Sequence, residues 1–176
     1  MDNEHIVRNA AHYASLSVNA RLGAALRTLA AWLDGVKIRD TDLDDLMEHL
    51  WQWPTVTVEN FDSWEASAPS LTSVGLGGEM PVGLIDKSNA RSIPPEDLYN
   101  LICHTVEMVY DNIYGAVDNE ATLDHLLQIE LIALRYGLAV PSASFFADSP
   151  YDETGWGPRP GVEQLHQWRF ADIRNG

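Results

Sequence analysis

A single cysteine, Cys103, stands in the whole chain. One thiol excludes an internal disulfide framework and any cysteine-rich zinc site. Positive charge is scarce as well: 11 Lys and Arg face 26 Asp and Glu, for a formal net charge of -15. Such a potential repels nucleic acid and anionic membranes and attracts basic partners, although simple solubility also accounts for an excess of this kind. The longest apolar stretch, Leu123 to Val140, is interrupted by Gln128, Glu130 and Arg135 and has no flanking positive cluster to orient it, so it reads as soluble core and not as a membrane span. At the N-terminus, MDNEHIVRNA carries acids where a secretory signal has positive charge, which makes the cytoplasm the expected compartment.

Chemical signatures are missing too. There is no Gly-x-Ser-x-Gly elbow, no His-Glu-x-x-His and no dinucleotide fingerprint. Gly75, Gly77 and Gly78 lack the Lys-Ser/Thr ending and the strand-to-helix setting of a phosphate loop. No cofactor is expected, and no catalytic residue can be named. An active site assembled from distant residues would leave no such signature.

What is present is helical period. A length of 176 residues with 45% hydrophobic content suits one all-α domain over residues 1–176. A first helix from about Asn3 to Ser15 would put His5, Arg8 and His12 on one side, as an interhelical or solvated polar stripe. From Ser17 to Asp34, Val18, Leu22, Ala25, Leu26, Leu29 and Leu33 form a continuous stripe, with Gly35 as the stop. Thr41 can cap the next helix, with Asp42, Asp44 and Asp45 against its positive end and Leu43, Leu46, Met47 and Leu50 on its dry side, before Pro54 prevents continuation. Residues 56–58 suit a short extended piece, and 59–66, with Phe61 and Trp64, read equally as strand or helix. Ser67 to Pro95 is rich in Gly, Ser and Pro and reads as one long loop with room for a small hairpin between VGLGG and MPVGL. Pro94 and Pro95 open a further helix that ends at Gly115, and Asp118, Asn119 and Glu120 start another, giving an antiparallel helical hairpin. SPYDETGWGPRPG is a second irregular segment, and Val162, Leu165, Trp168 and Phe170 mark a last short helix.

The bundle is expected to be built around the segment Leu123 to Val140. Leu123, Leu127, Leu131, Leu134 and Leu138 share one arc, with Ile129, Ile132 and Tyr136 behind them, and only a narrow strip of Asp124, Gln128 and Arg135 is polar. Leu127, Leu131 and Leu134 should therefore be fully buried. Glu130 falls on the dry side, either as a carboxylate bonded at the edge of the core or as a tuned functional acid.

On the preceding helix, Asp97, Asn100, His104, Glu107 and Asp111 make a polar row opposite the core face, which must be solvated or occupied by something else. His104, Glu107 and Asp111 stand three and four residues apart, so they are candidates to converge on a divalent metal. Carboxylate-bridged di-metal bundles use Glu-x-x-His twice, whereas this order is His-x-x-Glu and occurs once, so no metal is expected. Cys103 and its neighbour His104 point in different directions along a helix, which leaves Cys103 as a buried small residue.

The distribution of charge is the most pointed functional signal. From Asp40 to Glu79 stand nine acids, with Lys87 the next opposing charge; from Ser92 to Leu134 there are eight acids and no Lys or Arg. Trp51, Trp53, Phe61 and Trp64 are interleaved with the first block, and an acidic rim around tryptophan anchors is one way to grip a basic protein; the alternative is that these rings fill the core. Asp44, Asp45 and Glu48 form one candidate partner-binding patch, Glu107 and Asp111 another, with Trp51 or Trp53 as the apolar anchor. In size, acidity and helical character the chain resembles the bacterial immunity proteins that neutralise basic nuclease toxins. The resemblance implies a cytoplasmic binding protein that blocks a basic partner. The second reading is an enzyme or small-ligand-binding protein, with a pocket between the central helix and the two Gly/Pro-rich segments.

Overall fold

The structure is a computed structural model and describes residues 9–172. The regular elements among the described residues are all helices, with one isolated antiparallel bridge between Leu16 and Pro150. The expected all-α architecture is thus observed. In chain order the α-helices are α1 (Val18–Val36), α2 (Thr41–Gln52), α3 (Phe61–Ala66), α4 (Leu71–Gly75), α5 (Val82–Ala90), α6 (Pro95–Tyr110), α7 (Asn119–Arg135) and α8 (Val162–Phe170). Short 3-10 turns cover Trp53–Thr55 and Ala143–Phe146. No helix among the described residues is long and apolar enough to cross a membrane.

The central helix is α1, not the leucine-rich α7. Every residue from Val18 to Leu26 is buried, and α1 packs against α2, α6, α7 and α8. Its small residues permit this approach: a Cβ on Gly23 would meet Phe146 Cε1 at 3.0 Å and Trp168 at 3.4 Å. In α7 the buried positions are Thr122, Leu126, Ile129, Glu130, Ile132 and Ala133. Leu123, Leu127 and Leu134 are only half-buried, and Leu131 is 37% exposed. A broad apolar circumference does not require full burial, because much of a folded protein's surface is apolar. The alanine-rich helix, which other helices can approach on all sides, takes the centre.

Boundaries shift for local reasons. Asp40 caps α2, one residue before Thr41, with its Oδ1 accepting from Asp42 N at 2.9 Å. α1 runs past Gly35 to Val36 and is closed by Lys37 in the left-handed region at φ 59°. Residues 67–95 hold α4 and α5 in place of a hairpin. Pro81 fixes the entry to α5 at φ -57°, and Gly75 lets α4 press on α6, where a Cβ would meet Val106 at 2.4 Å. Residues 59–66 resolve as helix α3 with Trp64 buried. At the C-terminal end Trp168 docks into the core, while Val162 and Phe170 are exposed. His5 and Arg8 of the first polar stripe lie outside the described residues, and His12 is exposed.

Part of the polar row of α6 is covered by α7, while Asn100 and Asp111 stay exposed. Asp97, buried, accepts from Arg135 Nη2 at 2.8 Å and from the Tyr136 hydroxyl at 2.5 Å. Two turns further along, His104 Nδ1 meets His125 Nδ1, so polar contacts tie the antiparallel hairpin at two points.

Candidate functional site

Segment 149–157 owes its position to the orphan N–H groups at the start of α1. Ser17 N donates to Ser149 O at 2.9 Å, Val18 N to Gly155 O at 2.9 Å and Asn19 N to Trp156 O at 3.3 Å. Ser17 Oγ also meets Ser149 Oγ at 2.7 Å while accepting from Ala20 N at 3.1 Å. The loop is held in shape by Asp152, whose Oδ1 accepts from Thr154 N at 3.0 Å, Thr154 Oγ1 at 2.6 Å and Gly157 N at 3.2 Å. The Thr154 hydroxyl first, and then the backbone N–H groups, hold the Asp152 carboxyl below the usual range, so it stays anionic.

Between this segment and the 53–62 stretch opens a cleft of about 720 Å³, floored in part by Asn19 of α1. Its aromatic lining is Trp53, Phe61, Tyr114 and Trp156. Trp53 lies 4.9 Å from Trp156 and 6.4 Å from Phe61 between ring centroids, and Phe61 lies 6.1 Å from Tyr114. Val58 and Tyr114 at the mouth are 90% and 73% exposed. Asp62 and Asp152 are the acids of the lining and Arg159 its one cation. Glu65 binds the Tyr114 hydroxyl and adds a further carboxylate beside the mouth. Asn19 Oδ1 is buried without a hydrogen-bond partner, an uncommon state for a buried amide. The cleft is lined by the second irregular segment, as the pocket reading expected, but neither the 123–140 helix nor residues 67–95, which that reading also named, take part in its lining.

The two tryptophans put forward as anchors separate here. Trp51 is buried, with the Arg169 guanidinium 5.5 Å from its ring, and cannot serve as an exposed anchor. Trp53 is half-buried and reaches the cleft, while Trp64 behind it stacks on His49 at 4.4 Å and its Nε1 donates to His49 O at 3.0 Å. Asp44, Asp45 and Glu48 are exposed on α2, with Glu48 Oε2 accepting from Arg169 Nη2 at 2.5 Å.

The second acidic patch does not form as a pair. Asp111 is exposed at the C-terminal cap of α6, whereas Glu107 is half-buried and turned toward two histidines. Glu107 Oε2 lies 3.8 Å from His104 Nδ1 and 3.5 Å from His125 Nδ1, and the two Nδ1 atoms are 3.0 Å apart. Burial first, and then the neighbouring His125, hold His104 below the usual imidazole range. The structure thus replaces Asp111 of the sequence triad with His125, and among the described residues this is the one group of three donors placed to hold a metal. The spacing within α6 pointed to two of its members; the third comes from α7, and only the hairpin register selects it.

Cys103 is half-buried, its Sγ 3.7 Å from Val74 O. Glu130 is fully buried, with Asn9 Nδ2 donating to both of its oxygens at 3.1 and 3.2 Å. Burial pushes its carboxyl up to about 8, so it is protonated at neutral pH. Compared with known proteins, the chain matches no family model, no curated protein and no solved structure.

Proposed function

We propose that the chain is an acidic cytoplasmic binding protein that blocks a basic protein partner, in the manner of the bacterial immunity proteins that neutralise nuclease toxins. The observation that carries this reading is the cleft, where four aromatic rings meet Asp62 and Asp152 at an accessible mouth. Aromatic side chains supply large contact area at small entropic cost, and their faces attract a cation. A lysine or arginine of the partner satisfies both halves of the site, laying its stem on Trp53 and Trp156 and its charged head at a carboxylate. The exposed acids of α2, Asp44, Asp45 and Glu48, strengthen the field that draws such a partner in.

The test is capture from the native host followed by binding kinetics with the purified partner. A basic protein should bind the wild type with an on-rate that falls steeply as salt rises. Trp156→Ala and Asp62→Lys should speed dissociation by roughly 30-fold, the scale of an interface hot spot. The double variant Asp45→Lys/Glu48→Lys should slow association alone and leave the fold intact. A partner without excess positive charge, or one held equally by all four proteins, overturns the reading.

One observation favours a small ligand instead. The cleft's volume of about 720 Å³ lies in the range of small-molecule sites, roughly 300 to 1,000 Å³. A quaternary ammonium compound that raises the melting temperature of the wild type but not of Trp156→Ala would put this second reading first.

A further inference from the structure

We propose that His104 and Glu107 of α6 and His125 of α7 form a site for one divalent transition metal of the zinc class, tying the two helices of the hairpin together. The argument is independent of the cleft and rests on the spacing of the three donor atoms. Their separations are 3.0 Å between the two Nδ1 atoms, 3.5 Å from His125 Nδ1 to Glu107 Oε2, and 3.8 Å from His104 Nδ1 to the same oxygen. A tetrahedral ion with bonds of about 2.0 to 2.2 Å to nitrogen and oxygen sets its ligand atoms roughly 3.3 to 3.6 Å apart. The three observed separations bracket that edge, so one ion reaches all three donors with sub-ångström movements of the side chains.

The chemistry of the donors agrees with the geometry. Two imidazoles and one carboxylate suit zinc, cobalt, nickel or copper and not magnesium or calcium, which take oxygen ligands. Without a metal, the facing Nδ1 atoms can share only one proton between them, leaving the carboxylate beyond hydrogen-bond reach at 3.5 and 3.8 Å. A metal satisfies both lone pairs and the carboxylate at once. The side chains are 25%, 31% and 16% exposed for His104, Glu107 and His125, so solvent reaches the ion and completes its coordination with water. His104 and Glu107 belong to one turn of a regular helix and His125 to the facing one, so the ligands sit on rigid elements.

The experiment uses the full chain without a histidine tag, stripped with chelator and titrated with Zn²⁺ by calorimetry and with Co²⁺ by visible absorption. One equivalent should bind, raise the melting temperature and give the intense cobalt bands of a low-symmetry site. His104→Asn, His125→Asn and Glu107→Gln should each weaken binding by roughly tenfold or more, since a ligand matters at least as much as its supporting shell. Asp111→Asn should leave affinity unchanged. Absence of stoichiometric binding, or affinity indifferent to His125→Asn, overturns the site. Should a variant fail to fold, X-ray absorption of the zinc-loaded wild type decides: two imidazoles per zinc support the assignment, and any other histidine count refutes it.

Discussion

Trp53 and Trp156 face each other with ring centroids 4.9 Å apart and planes inclined by 58°, joining the end of α2 to a segment a hundred residues on. Gly157, next to Trp156, makes that junction possible. Its φ is +79°, and an added Cβ would stand 2.2 Å from Ser17 Cβ. Gly157→Ala should therefore destabilise the fold by about 1 to 3 kcal/mol and reduce the near-ultraviolet circular dichroism of the tryptophan pair. Gly161→Ala, where nothing lies within 4 Å, should change neither signal.

On α7 two leucines five residues apart should differ sharply. Leu126 is fully buried and Leu131 is 37% exposed. Chemical denaturation should show Leu126→Ala costing about 2 to 5 kcal/mol, and Leu131→Ala no more than about 1 kcal/mol. Equal losses would return α7 to the centre of the bundle.

Arg21 is fully buried on α1, and no carboxylate among the described residues pairs with it. Its Nε donates to Tyr13 O at 3.0 Å, Nη1 to Asn119 O at 2.8 Å and Thr122 Oγ1 at 2.9 Å, and Nη2 to Ala14 O at 3.1 Å. Burial lowers its pKa to about 10, leaving it charged at neutral pH. The planar fork binds the end of the N-terminal segment to the start of α7. Arg21→Met should cost about 3 kcal/mol or more by urea titration, because buried carbonyls lose their donors. Arg21→Lys should recover little, since one ammonium cannot reach acceptors spread over two segments.

Glu130 links stability to pH. Its carboxyl is raised from 4.5 to about 8 by burial, so the folded chain holds a proton that the unfolded chain gives up near pH 4.5. Stability associated with this proton is complete below pH 4.5, falls as pH rises, and is gone once the pH passes 8. Unfolding free energies measured from pH 5 to 8 should decline by a few kcal/mol in the wild type. Glu130→Gln keeps an acceptor for Asn9 Nδ2 and should flatten that decline. An unchanged slope would show that Glu130 does not titrate in this window.

The sequence by itself determined that the protein is all-α and located α1, α2, α6, α7 and α8, together with the apolar stripe of α1, α2 and α6. Proline at 94 and 95, the acids from Asp40 to Asp45 and the stripe from Val18 to Leu33 act within a few residues of the positions they specify. It also placed His104 and Glu107 on one turn and put aromatic residues among the acids of the 51–65 stretch. Only the tertiary structure decided which helix is central, because burial depends on what packs against a face and not on how apolar that face is. Leu131 and Leu126 are the same residue in the same helix with opposite surroundings. The joining of His125 to His104 and Glu107, and of Trp156 to Trp53, was settled there too. Each pairing brings together residues from different elements, and no local period or cap records the register in which two helices, or a helix and a loop, finally meet.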